Sequence, residues 1–164
     1  MYNKSHPIFE ELGTPADMAG RYGSFGSLYL MRDDLNQAEE MITKCLVIYE
    51  ELGDRAGVAR NSGNLGYLYH KRGDLDKAEA IYENCIVIFE ELDDRAGIAQ
   101  FTCNLGILFE YRGDWAGAAA HFRRSLAIAE ELDMPDTELM RQSLAKAETH
   151  LAGGPSTGSG GNAE

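Results

Sequence analysis

The 164-residue sequence predicts an all-α fold, an α-α superhelix of antiparallel helix pairs closed by a C-terminal capping helix. Three observations lead there. The segment IFEELG at Ile8 returns as IYEELG at Ile48, IFEELD at Ile88 and IAEELD at Ile128, each time after about 40 residues. Ala38, Ala78 and Ala118 keep the same step, as do Gly26, Gly66 and Gly106. Arg72-Gly-Asp returns as Arg112-Gly-Asp, with Arg32-Asp-Asp ahead of both.

The elements follow in chain order. Residues 1–13 copy only the tail of a second helix, a stub with no first helix before it. This reads as a piece of a longer array or as a partial cap, and an open N-terminal end exposes apolar surface that favours self-association. Three units come next, 14–53, 54–93 and 94–134, each a helix A and a helix B. In the middle unit Val58, Ser62, Leu65 and Tyr69 share one helical face. Gly73 ends that helix in a left-handed conformation that costs glycine nothing, and Asp74 caps the next one. Leu75, Ala78, Tyr82, Cys85, Ile86 and Phe89 form the stripe of helix B. Asp93-Asp94 closes the unit and opens the third. A lone hairpin cannot bury such stripes, so neighbours must stack. Pro135 opens a capping helix over 135–152, and the Gly/Ser-rich segment 153–164 is expected to be disordered.

The recurring letters resemble the tetratricopeptide repeat (TPR) family, in the longer-period form of kinesin light chain and Pins-type arrays. The family's Leu-Gly pair falls on Leu65-Gly66 and Leu105-Gly106. Its following aromatic falls on Tyr29, Tyr69 and Phe109. Its small helix-B residue falls on Ala38, Ala78 and Ala118, and the large one a turn later on Ile42, Tyr82 and Phe122. The early tryptophan is replaced by Tyr22, Ser62 and Thr102, and the late proline by Glu50, Glu90 and Glu130. The resemblance implies close approach of helices A and B at the glycines, and a concave face lined by the A helices.

Composition narrows the function. A net charge of -12 argues against nucleic acid, which is bound mostly by cations neutralising phosphates, and against anionic membranes. No apolar run nears the ~20 residues of a membrane span, and no secretory h-region follows the start. Cys45, Cys85 and Cys103 have neither metal nor redox spacing, which points to a reducing, cytoplasmic setting. No catalytic or metal motif is expected, nor a cofactor. His6, His70, His121 and His150 are scattered.

The candidate site is therefore a protein-interaction surface. With Leu65 set inward at ~100° per residue, Arg60, Asn64, Tyr67 and Lys71 face the opposite way, flanked by Gly63 and His70. Their third-unit counterparts are Gln100, Asn104, Ile107 and Tyr111, flanked by Cys103 and Glu110. Those of the first unit are Gly20, Ser24, Ser27 and Met31, flanked by Gly23 and Leu30. Asn64 and Asn104 offer donors and acceptors to an extended backbone. The A helices carry Arg21, Arg32, Arg55, Arg60, Lys71, Arg72, Arg95 and Arg112, while the acids crowd the B helices, so the inner wall is expected to be less negative than the outer. Arg60 and Asn64, one turn apart, look like half of the carboxylate clamp of chaperone-binding TPRs, but Gln100 stands where the third unit would need a cation. An acidic or carboxylate-bearing peptide is the expected ligand. The alternatives are a self-assembling scaffold and a sensor fragment of a larger multidomain signalling protein.

Overall fold

The protein is described by a computed structural model over residues 13–153. Residues 1–12 of the stub expected over 1–13, and all but the first residue of the expected tail, lie outside the described residues.

The described residues form seven helices: α1 (Pro15–Met31), α2 (Leu35–Glu51), α3 (Arg55–Lys71), α4 (Leu75–Glu91), α5 (Arg95–Tyr111), α6 (Trp115–Glu131) and α7 (Thr137–Ala152). Each packs on the next, and the first helices of neighbouring units also touch, α1 on α3 and α3 on α5. This is the expected solenoid of helix pairs.

The punctuation works as the sequence implies. Gly73 and Gly113 take φ of 81° and 78°, and Asp93 holds φ 55° at the end of α4. Asp54, Asp74, Asp94 and Asp114 then accept hydrogen bonds from the free backbone N–H three residues on. Asp34 does the same for α2, while α1 replaces this with a Thr14–Asp17 capping box and proline at the helix start. At the other end α7 begins one residue later than Asp136, whose side chain makes no cap bond; the Thr137 hydroxyl instead donates to the Met134 carbonyl at 2.5 Å.

Packing explains the recurring small residues. A Cβ on Gly66 would lie 2.5 Å from the Tyr82 ring, and one on Gly106 would lie 2.6 Å from Phe122. Both are closer than real side chains come, so the glycines set the A–B distance within a unit. Gly97 does the same between units, under the ring of Phe89. Phe89 stacks on Phe101 with ring centroids 5.4 Å apart, sealing α4 to α5. Cys45, Cys85 and Ser125 occupy one recurring buried site. The Cys85 thiol donates to the Ala59 carbonyl at 3.2 Å, and the Ser125 hydroxyl to the Ala99 carbonyl at 2.7 Å. Burial pushes the two thiols up, to about 11 for Cys45 and about 12 for Cys85, so both act as small apolar fillers.

The expected face of α3 needs one correction. Leu65, Tyr69, Val58 and Ser62 are half-buried, whereas Leu68, Ala59, Gly57 and Gly66 are sealed. Leu68 points back into the preceding unit, beside Leu30, Ala38 and Ile42. A helix A has two neighbours, its own helix B and the unit before it, so its buried arc is wider than a single stripe.

Candidate peptide-binding groove

The helical arc predicted to face outward does so. Arg60, Tyr67, Lys71, Gln100, Ile107, Tyr111 and Ser24 are exposed, and Asn64, Asn104, Ser27 and His70 are half-buried. Met31, on the same arc of α1, is 84% exposed and Tyr111 is 67%. Four residues expected to flank the arc lie against a neighbouring unit instead, Gly63 under the Phe101 ring among them. Leu30 is buried in the α1–α2–α3 core. Gly23 lies under the Asn61 side chain. Cys103 packs beside Ala118 and Leu144, between α5, α6 and α7, where burial raises its thiol. The reason is the same in each case: these positions sit where the next unit stacks.

The polar rungs are partly engaged already. The Asn64 amide donates to the Ser27 hydroxyl at 3.2 Å, joining α3 to α1. Ser27 in turn donates to the Gly23 carbonyl and Ser24 to the Gly20 carbonyl, so both hydroxyls are turned onto their own helix. Asn104 has no such partner among the described residues; the residue in Ser27's register beside it is Tyr67. Asn64 therefore keeps its carbonyl and one N–H for a ligand, and Asn104 keeps its whole amide.

The charge expectation changes more. Lys71 salt-bridges Asp33 at 2.5 Å, a bond that raises its affinity for its proton. Arg60 reaches Asp94 at 3.5 Å. Arg72 binds Glu39 at 2.7 Å and Asn36 at 3.1 Å, and Arg112 binds Asp76 at 2.7 Å together with Glu79. Arg55 pairs with Glu91, and Arg95 with Glu131. Even Glu110, expected beside the groove, is held by Lys146 of α7. The separation of bases on A helices from acids on B helices thus serves the joints between helices. It does not leave a positive inner wall.

Sequence reading missed the continuity of the aromatic surface. The rings of Tyr67 and His70 meet edge-on at 6.2 Å, and those of His70 and Tyr111 at 4.9 Å, crossing from α3 to α5. Burial lowers the affinity of His70 for its proton, which favours the neutral imidazole. The ammonium of Lys71 stands 5.9 Å from the Tyr67 ring centre. The i, i+4 spacing of Ile107 and Tyr111 placed those two side by side, but the His70 bridge depends on how α5 sits against α3.

Comparison with known proteins agrees with the fold. The tetratricopeptide repeat profile matches residues 17–83 and again 57–131. No curated protein matches in sequence. Among solved structures the chain is similar to the crystal structure of BtubC (BKLC) from P. vanneervenii, with TM-score 0.76 and 24% identity over 92% of this chain and 66% of that one. It is similar to the apo form of RapI, with TM-score 0.82 and 15% identity over 93% of this chain and 56% of that one. A putative kinesin light chain of Podosopora anserina with TPR-like repeats follows, with TM-score 0.69 and 14% identity over 83% and 67%. At these identities the likeness carries the fold alone. The chain spans between 56% and 67% of those chains.

Proposed function

Because the chain belongs to the tetratricopeptide repeat family, a family of protein-interaction scaffolds, we propose that it binds a peptide segment of a partner protein along its concave face. The observation that carries this reading is the exposed arc of α1, α3 and α5. It presents Met31, Tyr67, Ile107 and Tyr111 around the unspent amide of Asn104. Large apolar side chains standing beside open amide groups are what an extended chain needs: anchors for its side chains and partners for its backbone. Asn64, Ser24, Ser27, Gln100 and His70 border the same path, with Arg60 in the register of Gln100 and Lys71 in that of Met31 and Tyr111. The reading is non-enzymatic, and it places the chain in the cytoplasm. No helix among the described residues is long and apolar enough to cross a membrane.

Affinity capture from native lysate tests the site. Asn104→Ala combined with Tyr111→Ala is expected to lose partners that the wild type retains, while Val87→Ser, at an exposed position of α4, keeps them. Equal recovery by the groove variant, with helicity unchanged in circular dichroism, refutes the concave site.

One observation favours a second reading, self-assembly through the N-terminal end. Leu28 of α1 is 41% exposed, and it borders a cleft of about 630 Å³ lined by Ala16, Asp17, Gly20, Arg21, Ser24 and Phe25. Light scattering over a concentration series separates the two: a monomer throughout removes assembly and leaves the groove.

A further inference from the structure

The ligand's chemistry follows from what the inner wall has already consumed, and it rests on the groove reading above. Among the described residues the cations on and beside the α3 and α5 part of the arc have carboxylates of their own: Lys71 has Asp33, Arg60 has Asp94, Lys146 has Glu110, and Arg141 has both Glu130 and Glu138. A ligand carboxylate arriving here exchanges one ion pair for another and gains little. It also meets a chain of net charge -12, which repels it.

What stands unmatched is apolar. The Tyr67–His70–Tyr111 run forms a pad across α3 and α5, with Ile107 one turn before Tyr111. Met31 stands alone on α1, almost fully in water. Asn104 lies on the same arc with its amide unspent. We propose that the groove selects an extended, uncharged peptide segment anchored by two apolar side chains, one on the Tyr67–Tyr111 pad and one on Met31, with Asn104, about two turns before Tyr111 on α5, bonding the peptide backbone beyond the pad. Neighbouring helices pack ~8–10 Å apart, so α1 and α5 are separated by ~16–20 Å. An extended chain rises ~3.3 Å per residue, which sets the two anchors about five or six residues apart.

A display library of random peptides, panned on the full chain, tests this. The expected winners carry two apolar residues at that spacing and no net charge. Their Kd should rise at least ~10-fold with Tyr111→Ala and again with Met31→Ala, both exposed enough to leave folding intact. It should shift less than ~3-fold between low and high salt, where screening weakens only charge-driven contacts. Acidic winners whose affinity collapses with salt overturn the ligand class and leave the groove standing. Winners blind to Tyr67→Ala and Tyr111→Ala, or a library that yields none, remove the groove itself.

Discussion

Leu28 and Leu68 occupy the same point of consecutive units, yet Leu28 is 41% exposed while Leu68 is fully buried. Leu108, one unit further on, is buried as well. The same contrast recurs in charge. Arg72 and Arg112 reach back to the preceding helix B, onto Asn36 and Glu39 or onto Asp76 and Glu79. Arg32, in the same register on the first unit, has no side-chain partner among the described residues. The rear of α1 and the rear of α3 carry equivalent residues, and only the presence of a described neighbour differs. Burial in this array is therefore a property of the joint between units, and the hairpin alone does not supply it.

The widest test of that contrast is the leucine pair. Leu68→Ala should cost ~2–5 kcal/mol, since it empties a sealed site among Leu30, Ala38 and Ile42. Leu28→Ala should stay within ~0.5 kcal/mol, as surface changes do. Denaturant midpoints of the two variants measure this, and equal losses would show that α1 is covered as α3 is. Next come the glycines. Gly106→Ala should destabilise by ~1–3 kcal/mol, because the new methyl meets the Phe122 ring at 2.6 Å. Gly20→Ala has open space around it and should gain up to ~1 kcal/mol from helix propensity alone. A melting temperature that falls for Gly20→Ala would mean that something packs against that face. The smallest effect belongs to the arginines. Arg112→Ala should lose ~0.5–1 kcal/mol, a loss that shrinks in high salt, while Arg32→Ala should change nothing measurable. Matching, salt-sensitive losses at both positions would erase the distinction.

Much of the fold could be read from the letters because its determinants are local. Gly73 and Asp74 stop and start helices within four residues, and Tyr82 meets Gly66 inside one hairpin. The exposed arc was legible for the same reason, since ~100° per residue places Tyr67, Ile107 and Tyr111 outward whatever the neighbours do. What eluded the sequence depends on how units sit on one another. The bond of Lys71 to Asp33 spans 38 residues, and that of Asn64 to Ser27 spans 37. Neither can be deduced from a helix drawn alone. The inward turn of Cys103, the depth of Leu68 and the edge-on contact of His70 with Tyr111 belong to this second class. The pairing of the A-helix cations was missed there too, because counting charges on each helix leaves out the stagger that brings their partners within reach.

The arginine forks leave one consequence for the chain as a whole. Arg72 and Arg112 find their acceptors 33 and 36 positions earlier in both cases, and α1 to α6 are all 17 residues long. The stretch 54–93 contains both halves of this fastening, the Arg72 fork that grips backward and the Asp76 and Glu79 that Arg112 grips, whereas the third unit carries Ala116 and Ala119 at the gripped positions. In-frame copying of 54–93 carries this fastening with it, so the number of units is a dimension that gene duplication alone can change.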